Sequence, residues 1–155
     1  MKSILSILFL SLLIISCGKK DETANNTIQT QQQIEIINTW VRVSAQNMNT
    51  ALFFEVKNKS LNPDTLYKVT SDAAEIIEIH ETFHHENGMM GMRGIEFVEV
   101  PAKATVIFKP RDLHVMFINL NNDLMLGDSV QAELLFRKSG SVKISAEVKE
   151  MMKRE

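Results

Sequence analysis

Apolar and polar residues alternate with a period of two along most of the chain from Ile34 onward. The alternation is most regular near the C-terminus, where charged or hydroxyl side chains separate Val142, Ile144, Ala146 and Val148. Successive side chains of a strand point to opposite faces, so this pattern predicts strands with one buried face. We find no long segment with the 3.6-residue period that is typical of an amphipathic helix.

Turn residues divide this pattern into about nine short strands. Clusters such as Asn62-Pro63-Asp64 and Gly127-Asp128 mark the boundaries. The predicted strands are 34–43, 52–57, 65–70, 75–83, 95–100, 105–109, 113–119, 130–137 and 142–149. Many short strands within roughly 115 residues favour a single all-β domain, 34–150, built as a Greek-key β-sandwich or barrel.

The N-terminus is typical of an export signal. Lys2 precedes the apolar run Ile4–Ile15, which is shorter than the roughly 20 residues that span a bilayer. The run ends in Ile14-Ile15-Ser16-Cys17 and resembles the bacterial lipobox. That resemblance implies a lipoprotein signal peptide over 1–16 and lipidation of Cys17, the one cysteine of the chain. A plain signal peptide with an incidental cysteine is the alternative.

Residues 17–33 are polar, show no apolar periodicity and are predicted to be a flexible tether. No Asp follows Cys17 directly, which favours the outer membrane, facing the periplasm. The segment 19–22, Lys-Lys-Asp-Glu, resembles export signals of surface lipoproteins, so surface exposure stays open. We expect a bacterial cell-envelope protein that contacts the membrane through its lipid anchor only, and a charged tail over 151–155.

Charge and motifs exclude several function classes. The net charge of −2 offers no electrostatic case for binding nucleic acid. The chain shows no Ser-His-Asp order, P-loop, paired catalytic carboxylates or zinc signature, so we do not predict an enzyme. Methionine is abundant, at 9 of 155 residues. Methionine often fills gaps in a core, so the positions of these residues decide their role.

All four histidines and four of the methionines lie between His80 and Met116. In the predicted strand 113–119, His114 and Met116 share a face opposite Val115 and Phe117. A methionine that fills the core would share the face of Val115, so Met116 is placed as an exposed donor beside His114. His80 likewise lies on the face of its strand that is opposite the apolar residues.

The predicted loop 84–94 carries Met89, Met90 and Met92 between glycines. Thioethers are soft donors and imidazoles borderline ones, so a site with two of each favours Cu(I) over hard cations. Additional donors in this loop would suit an auxiliary site, including one for Cu(II): His84, His85, Met89 and Met90. Solvated loop residues, or the binding surface of an adhesive or structural lipoprotein, are the alternatives.

The spacing and its flanking residues resemble a known family. Met92 is followed by 21 residues and then by His114-Val115-Met116, with Gly91-Met92-Arg93 and Lys109-Pro110 in matching places. This pattern, from about residue 37 to residue 148, is similar to the periplasmic copper chaperones that serve the Cu(A) centre of cytochrome oxidase, the PCu(A)C family. Eleven residues instead of the family's ten separate His80 from Met92. We prefer Met92 to Met90 as the loop ligand because its spacing to His114 fits.

The resemblance implies a cupredoxin-like sandwich with Cu(I) bound by His80, Met92, His114 and Met116. It also implies a carrier, not an enzyme, that passes copper to an acceptor protein such as the Cu(A) subunit of cytochrome c oxidase. Copper sequestration or tolerance without a dedicated acceptor is a second interpretation, which the sequence does not separate from the first.

Overall fold

The computed structural model describes residues 33–86 and 88–151, which form an all-β domain. The signal peptide 1–16, Cys17, the tether up to residue 32 and tail residues 152–155 lie outside the described residues. The strands are β1 Ile34–Arg42, β2 Thr50–Asn58, β3 Asp64–Thr70, β4 Ala74–His84, β5 Met90–Ile95, β6 Val98–Val100, β7 Thr105–Phe108, β8 His114–Leu120, β9 Ser129–Phe136 and β10 Gly140–Lys149. No helix long and apolar enough for a membrane span occurs within 33–86 and 88–151.

The strands follow the order β5-β4-β8-β2-β1-β10-β9-β3-β6, with β7 paired to β2. Neighbours are antiparallel apart from β1 and β10, which run parallel. Strands that are distant in sequence, such as β8 and β2, lie side by side, as in Greek-key connections. Alternate residues of these strands pack into one core, so the all-β prediction is confirmed. Fully buried side chains at its centre include Leu52, Phe54, Val115, Phe117 and Leu134.

A bulge in β1 changes which side chains point into this core. Asn38 has a φ of 55°, and the register with β2 shifts between Ile37 and Trp40. Before the bulge the buried residue, Ile34, has an even number, and after it the buried residue, Val41, has an odd number. The bulge therefore changes which alternate residues of β1 face the core. Trp40 is thereby turned away from the core.

The prediction of a loop over residues 84–94 is wrong for the second half of this range. β4 continues to His84, and Met90–Ile95 form β5, which pairs with β4 along its whole length. The turn between them is closed by the amide of His85, which donates to the carbonyl of Met89 at 2.8 Å. Methionine and glycine are poor strand markers, which is why alternation did not reveal β5. The predicted strand 95–100 is also two strands, because Ile95 ends β5 beside β4 and Val98–Val100 form β6 beside β3.

Asp64 fixes the turn between β9 and β10. Its carboxylate is 4% exposed and accepts hydrogen bonds from the amides of Lys138 and Ser139, both at 2.9 Å, and of Thr65 at 2.7 Å. Burial alone would raise the pKa of Asp64. The hydrogen bonds from Ser139, Lys138 and Thr65 outweigh it and hold the pKa below the ordinary value of 3.8. The folded state therefore favours the ionised carboxylate.

Asp64→Ala should lower the free energy of unfolding by about 1.5–3 kcal/mol at neutral pH, because three part-buried backbone hydrogen bonds lose their charged acceptor. The folded-state pKa is lowered, so this stabilisation is present above the unfolded-state pKa and is lost as pH falls through the folded one. Urea unfolding of both proteins at about pH 7 and about pH 3 should show the difference shrink in acid. Asp72→Ala, at an exposed position, is the control. A difference that does not depend on pH would contradict this role.

Candidate metal centre

The two predicted histidine ligands are direct neighbours across β4 and β8. His80 pairs in register with His114, and the centroids of their rings are 5.7 Å apart. Ile79 and Val115 form the adjacent pair and point into the core. The histidines therefore project from the opposite face, as the alternation of the sequence predicted.

The two predicted methionine ligands flank this histidine pair on the same face. Met116 lies opposite Glu78 on β4, two residues along the strand from His80. Met92 lies opposite Thr82, two residues from His80 in the other direction. Three adjacent strands, instead of two strands and a loop, thus bring the predicted donors to one face. We call it the site face.

Met90, the alternative to Met92, also lies on the site face. It pairs with His84 at the end of the β4–β5 hairpin. It is one further two-residue step from the histidine pair, about 6–7 Å along the strand. The register therefore favours Met92 over Met90, in agreement with the spacing argument.

His114 is held in one orientation by the backbone. Its side chain is only 4% exposed, and its Nδ1 lies 2.9 Å from the carbonyl oxygen of Asp112. A carbonyl only accepts, so Nδ1 carries the proton and the lone pair of the neutral ring is on Nε2. This arrangement is typical of metal-binding histidines, in which an outer hydrogen bond fixes the tautomer.

His80 is held by a carboxylate that bonds its Nε2, whereas in His114 it is Nδ1 that is hydrogen-bonded. Its Nε2 lies 2.8 Å from Oε2 of Glu78, so Nε2 is the donor and Nδ1 of the neutral ring has the lone pair. Among the side chains of the described residues, this Nδ1 is the one buried nitrogen or oxygen atom without a hydrogen-bond partner. Such an atom costs about 1–3 kcal/mol. A bound metal ion would relieve that cost, so the donor set fits a metal.

A cavity of about 370 Å³ opens on the site face beside His114. Ala51 pairs with Met116 across β2 and β8, and its small side chain leaves the floor of the cavity open. His80 is not part of the lining. The lining residues are Arg42, Asn49, Thr50, Ala51, Phe53, Thr82, Met90, Gly91, Met92, Pro110, Arg111, His114, Met116 and Met151.

Aromatic rings support His114 from the side of β2. The centroid of Phe53 lies 6.5 Å from that of His114 and 4.4 Å from that of Trp40. Phe53 is buried, so this row restricts the movement of the imidazole. Sequence reasoning missed Phe53 and Ala51, because alternation gives the face of a residue but not its neighbour across the sheet. Glu78 was detectable, since it stands two residues before His80 on one face.

The candidate auxiliary donors are not gathered at one point. His84 and Met90 lie opposite each other on the site face. Phe83 alternates with His84, and the ring of His85 packs against Phe83 at 4.8 Å between centroids. The two histidine rings thus lie on different sides of the hairpin. Within residues 33–86 and 88–151, no group of three or more His, Cys, Asp or Glu side chains is arranged to hold a metal.

The hydrogen bonds predict opposite tautomers for the two site histidines in the metal-free protein. His80 should carry its proton on Nε2 and His114 on Nδ1, measured by long-range ¹⁵N–¹H correlation at about pH 8.5, where model imidazoles are neutral. In Glu78→Ala, the preference of His80 should weaken while His114 stays unchanged, because its acceptor is a carbonyl. The same tautomer at both histidines of the wild-type protein would contradict this geometry.

Solved structures with a similar fold include PCuAC domains. The "Copper-bound PCuAC domain from PmoF2" matches with a TM-score of 0.65 at 22% identity, over 77% of this chain and 94% of that one. The solution structure of CuI-DR1885 from Deinococcus radiodurans matches with a TM-score of 0.59 at 25% identity, over 77% of this chain and 82% of that one. The domain thus has the cupredoxin-like β-sandwich fold of PCuAC domains, and the resemblance noted in the sequence is confirmed.

This chain belongs to the LpqE-like family, whose model, "Putative lipoprotein LpqE-like", matches residues 34–148. It is 25% identical over 117 residues to "Putative lipoprotein Lxx21020" of Leifsonia xyli subsp. xyli, covering 76% of this chain and 70% of that protein. It is also 25% identical over 118 residues to "Uncharacterized protein RP573" of Rickettsia prowazekii, covering 73% and 65%. The family match includes all four predicted donors.

Proposed function

We propose that this protein is a Cu(I) carrier of the bacterial cell envelope, with His80, Met92, His114 and Met116 as copper ligands. The observation that carries the proposal is the buried, unpartnered Nδ1 of His80, next to His114 on a face that also holds two thioethers. The four donors are uncharged, and a neutral set of two imidazoles and two thioethers suits a soft monovalent ion.

The fold neighbours support this proposal. One is described as copper-bound and another as a CuI form. Their identities to this chain are 22% and 25%, so they support the fold, and the ligands are argued from this chain's own residues. The family description and the lipobox both favour a lipoprotein, and we propose Cys17 as its anchor in the outer membrane.

The site combines a rigid part with an exchangeable one. His114 is fixed by Asp112 and Phe53, while Glu78 orients His80. Met92 is 60% exposed on a strand at the end of the sheet path. Copper transfer then proceeds by ligand exchange: a donor of the acceptor protein binds the ion as an exposed thioether leaves. The imidazoles hold the ion until the last step.

Met92→Leu should weaken Cu(I) binding about tenfold or more, because leucine keeps the apolar volume but removes one sulfur ligand. Anaerobic competition with a Cu(I) chelator measures the affinity, and X-ray absorption counts the neighbours of the ion, which should decrease by one sulfur. Met90→Leu tests the alternative ligand, and Met125→Leu, at a position 62% exposed, is the control.

Two results would count against this ligand assignment. Loss of affinity in Met90→Leu with none in Met92→Leu would transfer the ligand role to Met90. An all-nitrogen shell in the wild-type protein, or no Cu(I) binding against the chelator, would reject the site and leave an adhesive or structural lipoprotein as the interpretation. Any auxiliary Cu(II) site would involve His84 and Met90, since His85 packs on the other side of the hairpin.

Copper delivery and copper sequestration predict different defects in a cell that lacks the protein. If the carrier delivers copper to an acceptor such as the Cu(A) subunit of cytochrome c oxidase, gene deletion should lower oxidase activity and added copper should restore it. Met92→Leu should show the same defect, whereas Met125→Leu should not. Normal oxidase activity combined with greater sensitivity to copper would instead favour sequestration, the second candidate function.

A further inference from the structure

Met151 reaches the site face from the far side of the sheet. It follows β10, in which Ala146 and Val148 are buried and Glu147 and Lys149 point away from the core. Beyond the strand, Glu150 and Met151 are both exposed, and Met151 lines the same cavity as His114 and the two thioether ligands. From the sequence, Met151 lies in a charged tail and is a candidate sulfur donor, but its position relative to a site some 35 residues earlier is not defined.

A trough across the sheet connects Met151 with the proposed ligands. Met116 pairs with Ala51, and Arg42 pairs with Lys149 on β10. The amide of Val43 donates to the carbonyl of Lys149 at 3.0 Å, which ties the end of β10 to β1. Ala51 carries only a methyl group, and Arg42, which also lines the cavity, lies between Ala51 and Lys149.

We propose that Met151 is an additional sulfur donor to the copper ion, an inference that rests on the proposed function. Its thioether is 46% exposed and approaches from β10, whereas Met92 approaches from β5. A thioether has no proton to lose, so binding forms one Cu–S bond and releases one weak ligand or water, with no change in oxidation state. Met151 thereby shields the ion from water and gives way to the acceptor's ligand.

A purely apolar role for Met151 makes a different prediction. A methionine that only covers the cavity can be replaced by leucine, which retains volume and hydrophobicity. It also has no reason to lose reactivity at sulfur when a metal binds. Sulfoxide forms when the thioether sulfur attacks the peroxide as a nucleophile. Donation to a metal ion lowers that nucleophilicity, so the reactivity of each methionine reports whether its sulfur is coordinated.

The test uses the full chain with and without one equivalent of Ag(I), a soft monovalent ion that replaces Cu(I) without redox chemistry. Dilute hydrogen peroxide is added, and peptide mass spectrometry follows sulfoxide formation at each methionine. Ag(I) should slow oxidation of Met92, Met116 and Met151 several-fold. Met48 and Met125 are 59% and 62% exposed and should oxidise at the same rate in both samples.

The outcomes separate this inference from the function on which it rests. Protection of Met92 and Met116 without protection of Met151 overturns the inference and leaves the carrier intact. Absence of protection at all three rejects the carrier as well. In a second measurement, Met151→Leu should release Cu(I) to a chelator about three to ten times faster than Met125→Leu. Equal release rates would also overturn the role of Met151.

Discussion

The in-register pairing of β4 with β8 is the constraint on which the site depends. It places His80 against His114 on the site face and Ile79 against Val115 in the core. A slip of one residue would turn the buried pair into solvent and the histidines into the core. Burial of Val115 and Ile79, at 0% and 4% exposure, therefore fixes the geometry of the proposed ligands. The same strand register therefore determines both the hydrophobic core and the proposed metal centre.

The unpartnered ring nitrogen of His80 makes the metal-free protein less stable. A buried nitrogen without a partner is unfavourable by about 1–3 kcal/mol, and His80 Nδ1 is such an atom. Its orientation is maintained by Glu78, which bonds the other ring nitrogen. A second hydrogen-bonding residue near Nδ1 would stabilise the apo protein but compete with an ion. The arrangement favours binding over apo stability, as expected where a pocket is kept ready for a ligand.

Much of the fold and most of the proposed ligand positions could be predicted from the sequence, because alternation in a strand shows which face each residue occupies. The positions of His114 and Met116 opposite Val115 follow from that rule alone. The strand β5 could not be found this way, since its methionines and glycines lack the apolar pattern. Neighbours across the sheet could not be predicted either: Phe53 lies beside His114 through a strand pairing that the sequence does not specify, and Met151 lines the cavity next to His114 although it follows the last strand.

The segment that carries His114 and Met116 is bounded by residues with left-handed backbone conformations. Arg111, with a φ of 67°, completes the turn from Lys109, after which the carbonyl of Asp112 meets the ring of His114. Asn119, with a φ of 58°, ends the alternation at the other side. This conformation costs roughly 1–2 kcal/mol for a residue such as arginine, whereas asparagine adopts it more easily, so the contacts around Arg111 must compensate for it. Backbone of this kind often lies next to functional sites because it redirects a side chain or a carbonyl. Here the carbonyl that it directs is the one that selects the tautomer of His114, so the turn and the proposed copper ligand depend on each other.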